Sequence, residues 1–294
     1  WGLRHIMDFG IIATIGNKLD INETDIMEAV SRDENINVIC MYLESVKGGR
    51  RFIDQARRIT REKPMVVLKS GRTEAGKKAV ASHTASLAGT DQIYSAVSRQ
   101  SGIIRARDYE HMFNLARAIS KQPLPDREGV FIITYAGSLG VIAADAITDN
   151  GMRLSELDEP LKQRLKDLLP DYVCGMNPVD YTFSQDARIV KSTIEIGVES
   201  SDVGSFIVIL QAEILDSYVE ALKSINYQGK PIIACVAGKE FEMPGVIKME
   251  KAGIPVFSTP EQVADALGIM YRHHKRITRA RARGKDWAKA KGKI

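Results

Sequence analysis

Three cysteines in 294 residues, at positions 40, 174 and 235, form no CxxC pair, which argues against both a disulfide framework and a zinc site of ordinary spacing. Cys40 and Cys235 fall inside apolar, β-branched runs, where a reduced, buried thiol is expected. No apolar run is longer than about six residues, far short of the roughly 20 needed to span a membrane. Nor does a charged start lead into an apolar stretch of the kind that directs secretion, so the expected location is the cytoplasm. There is no GxGxxG spacing and no Walker lysine, so nucleotide specificity has no motif to rest on.

What is present is an ordinary globular composition, 44% apolar and 27% charged, which excludes disorder. The length exceeds what one core usually fills and predicts two domains. The formal charge of +4 is unevenly spread. Ten of the 41 Lys and Arg residues lie from Arg272 onward against a single acid, Asp286, and the rest of the chain is net acidic. Residues 275–294, with Trp287 their only aromatic, read as a basic tail, a solvated arm or frayed helix able to touch phosphates. A specific nucleic-acid role is not expected.

Short β-branched runs alternate with amphipathic helical patterns. Strands are expected at residues 11–15, 38–43, 65–69, 103–105, 130–134, 206–210, 232–236 and 255–257, and helices at 50–61, 110–120, 186–199 and 261–271. Repeated strand then helix predicts parallel sheets covered on both faces. Residues 121–128 (KQPLPDRE) are the best linker candidate.

An internal repeat sharpens this organisation. Lys63-Pro64 opens a strand reaching Gly71, and Lys230-Pro231 opens one reaching Gly238, seven residues after the proline in both. Each is preceded by a strand and an acid, Glu44 or Glu213, and followed by Gly-Ile at Gly102 or Gly253. Asn17-Lys-Leu-Asp20 echoes Asn177-Pro-Val-Asp180. Two similar open α/β units in tandem are expected, with residues 1–121 and 122–274 as the domains and 275–294 as the tail. The first copy lacks the strand and turn that open the second, so the chain is expected to be a fragment of a longer ancestor. Between Gly71 and Gly102 the first copy has 31 residues where the second needs 15 from Gly238 to Gly253. The surplus falls on residues 77–91 and predicts a special loop.

In an open parallel sheet ligands sit beyond the carboxyl ends of the strands. Glu44 is expected at one such end. His83 lies in the special loop among Ser82, Thr84, Ser86 and Gly89, just before a helix that Thr90 or Asp91 can cap. That is the pattern of an anion cradle with an imidazole nucleophile, Glu44 being a natural carboxylate to fix its tautomer; a surface-loop histidine is the alternative. A second cradle is Thr134-Tyr-Ala-Gly137-Ser138-Leu-Gly140, read as a turn before a helix at 141–150. Its glycines either present N–H groups to an anion or only tighten the turn. Asp180 faces either a ligand or a helix N-terminus. His5, His111, His273 and His274 have no metal-type neighbours in sequence and read as helix-surface residues; no metal is expected.

At Tyr42-Leu-Glu44, Lys63-Pro-Met-Val-Val-Leu-Lys-Ser-Gly-Arg72, Ala81-Ser-His83-Thr-Ala-Ser-Leu-Ala-Gly89 and Asn177-Pro-Val-Asp180, the sequence resembles the α subunit of ADP-forming acetyl-CoA synthetase, in the succinyl-CoA synthetase superfamily. The resemblance spans roughly residues 1–274. It implies two flavodoxin-like domains, transient phosphorylation of His83, orientation of that histidine by Glu44, and phosphate contacts from Ser82, Thr84, Gly137, Ser138 and Gly140. The implied reaction converts acyl-CoA, phosphate and ADP to acid, CoA and ATP through an acyl phosphate and then phosphohistidine. CoA, ADP or ATP and Mg2+ are implied for the full enzyme, none of them held by this chain. The implied partners are an ATP-grasp β subunit and a CoA-binding domain in a hetero-oligomer, with no membrane. Ala85 stands where that family usually has glycine, and Tyr135, Ala136 and Ser138 depart from its glycine-rich turn. A non-catalytic or regulatory remnant of the same fold is the alternative function.

Overall fold

A computed structural model describes residues 7–84, 90–171, 173, 175–182, 186–237 and 244–291. The chain divides into two compact units, one built on residues 8–120, the other on 121–274, with residues from Lys275 onward belonging to the first.

The first unit runs α1 (Glu23–Ser31), β1 (Ile39–Leu43), α2 (Gly49–Ile59), β2 (Met65–Lys69), α3 (Glu74–Thr84), α4 (Asp91–Ser101), β3 (Ile104–Ala106) and α5 (Tyr109–Lys121). Its strands form a parallel sheet in the order β1-β2-β3. Central β2 (MVVLK) is buried at all five positions, as β-branched runs in covered parallel sheets require. Met65, Val67, Leu43 and Ile39 pack with Phe52, Ala56 and Ile59 of α2. α1 starts on a capping box, Asn22 accepting from Thr24 N–H and Asp25 accepting from Asn22 N–H.

The second unit contains β4 (Gly129–Thr134), α6 (Gly137–Asp149), β5 (Arg153–Leu154), α7 (Glu159–Leu168), β6 (Val179–Asp180), α8 (Ala187–Glu199), β7 (Ser205–Ile209), α9 (Leu215–Lys223), β8 (Ile232–Cys235), α10 (Pro244–Lys251), β9 (Val256–Phe257) and the part of α11 (Pro260–Lys291) up to His274. The all-parallel order is β5-β4-β7-β8-β9, with β6 pairing the far end of β4. This is the doubly wound, flavodoxin-like order, with its switch point between β4 and β7. The order and direction of β1-β2-β3 match those of β7-β8-β9, so the sequence repeat is a structural one.

Several expectations need correction. Residues 11–15 form no strand: β1 has no second neighbour among the described residues, and an apolar run without a pairing partner stays irregular, leaving Ile12 exposed. Most of the supposed loop at 77–91 is helix. α3 carries Lys77 through Thr84 because the alanine-rich KKAVAS segment is a strong helix former; residues 85–89 lie outside the described residues. Residues 122–128 do join α5 to β4 without helix or strand, as a linker would, but their start is anchored in the second unit. There Lys121 Nζ donates to Glu250 Oε2 at 2.7 Å, and Gln122 bridges Ile232 N–H and Gly253 O. Of the two readings of the tail the helix holds, since it continues α11 to Lys291, and it is not wholly solvated, because Arg276 packs over Gly102 and donates to Gln100 O at 3.3 Å. His111 and His273 are buried rather than on helix surfaces, because they fall on the packed faces of α5 and α11. His5 lies outside the described residues.

Cys235 is buried in β8 and Cys40 lies in β1, neither in a disulfide, and burial pushes the Cys40 thiol up to about 12. Cys174 lies outside the described residues. Among the described residues no helix is long and apolar enough to cross a membrane.

Candidate active site

In the first unit, Glu44 directly follows β1, at the carboxyl edge of the sheet. Tyr42, two residues earlier on the same face of the strand, donates its hydroxyl toward Glu44 Oε1 at 3.4 Å. Its ring stacks on Tyr109 at the start of α5, with centroids 5.7 Å apart. Burial, Tyr42 and the charge of Glu44 together push the Tyr109 hydroxyl up from its ordinary range.

The turn after Glu44 is held at successive residues. Ser45 O accepts from Lys18 Nζ at 2.7 Å, Tyr94 of α4 hydrogen-bonds the backbone of Val46, and Lys47 N–H donates to buried Glu23 at 2.6 Å. Lys18, whose φ of 57° places it in the left-handed region, also pairs with Glu23 at 2.9 Å. A carboxylate on so tethered a turn has a fixed position, as an orienting acid requires.

His83 occupies the last turn of α3, with Thr84 ending that helix. Ser82 precedes it, its hydroxyl turned back to Ala79 O at 2.8 Å in an i to i−3 bond. After residues 85–89, Thr90 stands at the N-cap of α4 without a side-chain cap bond, and Asp91 pairs with Arg105 at 2.7 Å. Arg105 holds the Asp91 carboxyl below its ordinary range. α3 and α4 therefore bracket the histidine segment, α4 being tied to the sheet through β3.

In the second unit the glycine-rich stretch is not a separate turn. α6 begins at Gly137, so Gly137, Ser138 and Gly140 make up its first turn. Gly137 and Ser138 offer leading N–H groups that no preceding carbonyl of the helix can reach, whereas Gly140 N–H is bonded to Ala136 O at 3.2 Å. Gly140 serves close packing: a Cβ there would lie 2.9 Å from Thr134 Cγ2 and 3.3 Å from Pro178 Cβ. Asp180 faces this helix N-terminus, its Oδ2 lying 2.6 Å from where a Cβ on Gly137 would stand. Asn177, before a cis peptide bond to Pro178, fills the gap between β5 and β6. Its amide accepts from Ile132 N–H at 2.9 Å and donates to Val130 O at 2.8 Å and Ser155 O at 3.0 Å.

Sequence reasoning missed Lys69, a buried ammonium at the carboxyl end of β2, and the Tyr42–Tyr109 stack. Lys69 had a visible signal, a single charge ending an otherwise apolar strand. The stack had none, since its partners are 67 positions apart.

Two flavodoxin-like units in tandem are matched by known proteins. The succinyl-CoA ligase like flavodoxin domain matches residues 1–119 and the ligase-CoA domain residues 130–280. The chain belongs to the succinyl-CoA ligase-like family. It is 35% identical over 281 residues to the α subunit of ADP-forming acetate–CoA ligase I of Pyrococcus furiosus, covering 94% of this chain and 61% of that one. ADP-forming acetate–CoA ligase of Methanocaldococcus jannaschii is 37% identical over 273 residues, covering 90% of this chain and 39% of the relative. Among solved structures, acetyl-coenzyme A synthetase 1 of Ca. Korarchaeum cryptofilum in complex with phosphate and ADP superposes with a TM-score of 0.81 at 31% identity. That match covers 92% of this chain and 60% of the other. The chain thus spans about three fifths of the α subunit and of the solved structure it matches.

Proposed function

We propose that this chain is the phosphohistidine-carrying portion of an ADP-forming acyl-CoA ligase, with His83 as nucleophile and Glu44 as the acid that orients it. The observation that carries the reading is the placement of Glu44 on a tethered turn at the carboxyl edge of β1, in the same unit whose α3 carries His83. In the forward direction a neutral ring nitrogen attacks the phosphorus of an acyl phosphate, a P–N bond forms, and the P–O bond to the acyl oxygen breaks. The carboxylate leaves, and the phosphoryl group then passes to ADP with cleavage of the P–N bond. A carboxylate accepting from one ring N–H leaves the lone pair of the other nitrogen free to attack.

Ser82, Thr84, Gly137, Ser138 and Gly140 are the phosphate-binding candidates of this reading. The geometry ranks Gly137 and Ser138 above Gly140, whose N–H is engaged, and above Ser82, whose hydroxyl bonds backward. CoA, ADP and Mg2+ are assigned to partner elements, an ATP-grasp β subunit and a CoA-binding domain, in a hetero-oligomer of the cytoplasm. Among the described residues no group of three or more His, Cys, Asp or Glu side chains could hold a metal ion.

The test supplies labelled ATP and the β subunit of an ADP-forming acetate–CoA ligase. The chain should take up label that acid removes and alkali leaves, because a phosphoramidate bond breaks once its nitrogen is protonated. Acid-stable label, or none, would contradict the proposal.

A further inference from the structure

Lys69 is 2% exposed. Its ammonium donates to Ser70 O and lies 4.6 Å from the centre of the Tyr94 ring. Among the described residues no carboxylate forms an ion pair with it. A buried charge without a paired counter-ion costs stability and is retained only where something compensates. The charges that bear on it are Asp91 and Glu44, which favour its ammonium form, and Arg105 and Lys77, which oppose it; burial outweighs them and holds it below the usual lysine range. Beside it, the buried Ser70 Oγ has no hydrogen-bond partner among the described residues.

The repeat shows that the fold does not demand either group. Counting from Pro64 and Pro231, Lys69 corresponds to Val236 and Ser70 to Ala237, and Val236 is fully buried at its strand end. One unit closes this position with apolar groups, while the unit that carries Glu44 and His83 places an ammonium and an unpaired hydroxyl there. Both stand at the carboxyl end of the central strand, where ligands of parallel sheets sit. Lys69 also faces Tyr94, which holds the Glu44 turn through Val46 and belongs to α4, the helix that follows the histidine segment.

Building on the phosphohistidine reading, we propose that Lys69 and Ser70 form an oxyanion seat at the end of β2, Lys69 being the counter-charge and positioning residue for the phosphoryl group. An ammonium in a low-dielectric setting acts on an incoming dianion over a longer reach than one in water, so Lys69 need not be exposed to act.

The experiment follows the Lys69 ε-ammonium resonance in the full chain carrying isotope-labelled lysine, assigned by its loss in Lys69→Met. In His83→Asn, inorganic phosphate should shift this resonance and raise its titration midpoint, and Ser70→Ala should weaken the effect. In the wild-type chain with labelled ATP and the β subunit, Lys69→Met should slow labelling roughly ten- to a thousandfold, the range for losing one such electrostatic group. Lys69→Arg should recover most of it. Thermal stability of Lys69→Met should be unchanged or higher, which separates a functional loss from a folding defect. A resonance that ignores phosphate, or labelling of Lys69→Met at the wild-type rate, would overturn the proposal. If the wild-type chain takes no label, the phosphohistidine reading fails on its own and the phosphate titration of His83→Asn alone decides the seat.

Discussion

Glu44 and Lys69 lie at neighbouring strand ends, Lys69 being the register partner of Leu43, and between them they place opposite charges at the carboxyl edge of the first sheet. If Glu44 fixes the imidazole tautomer, Glu44→Gln keeps shape and position but loses the anionic acceptor. Labelling by ATP and the β subunit should then slow by roughly one to four orders of magnitude, with the melting temperature little changed because the turn is held by Lys18, Glu23 and Tyr94 rather than by Glu44 itself. A quenched time course measures the rate. An unchanged rate would remove Glu44 from the mechanism. At this scale the sequence was partly legible. Glu44 and His83 carry chemistry that their residue types announce, and the helix N-terminus that Asp180 meets is one of the two readings its turn allows, whereas the burial of Lys69 is not something spacing encodes.

At the scale of elements, strands were the easiest to read. β2 lies where its apolar run places it, and β4, β7, β8 and β9 start or stop within one residue of expectation, because β-branched runs bounded by Pro and Gly leave few alternatives. The errors share one cause: local pattern does not report what a segment packs against. Residues 11–15 have strand composition without a partner, and residues 77–84 looked like surplus loop only because the sister copy is shorter there. The start of α6 was placed four residues late because glycine lowers helix propensity, while the close approaches of Gly137 and Gly140 demand it. Gly137→Ala should therefore cost about 1 kcal/mol or less, because only the end of the Asp180 side chain must move aside. In urea melts, the double variant Gly137→Ala with Asp180→Ala should lose less than the sum of the singles. Strict additivity would mean that Asp180 and Gly137 are not in contact.

For the whole molecule, the repeat was visible in sequence because the Lys-Pro strands and Gly-Ile turns recur at matched spacing, and the parallel β1-β2-β3 and β7-β8-β9 orders carry it into structure. The copies diverge where the two proposals fall: Lys69-Ser70 against Val236-Ala237, and the His83 segment against the shorter connection to Gly253. Acid stability follows from ion pairs in both units. Asp202 accepts two bonds from Arg153, at 2.5 and 2.8 Å, and one from Glu156 N–H at 2.8 Å, and Asp91 pairs with Arg105. Both carboxyls are held below their unfolded range, chiefly by these arginines. A depressed carboxyl contributes stability above its unfolded pKa, and that contribution fades as pH falls through the folded value. The melting temperature should thus decline below about pH 4. Asp202→Asn, measured by calorimetry, should lose about 1 kcal/mol at neutral pH, as befits a solvent-screened pair, and should show a shallower decline in acid.

The central claim is that phosphate travels on His83, and the most direct measurement is to locate it. After reaction with ATP and the β subunit, the chain is digested at alkaline pH and its peptides are fragmented in a mass spectrometer. One phosphoryl group is expected on His83, absent from His83→Asn and released by mild acid. A phosphoryl group on Ser82, Thr84, His111, His273 or His274 in place of His83 would contradict it.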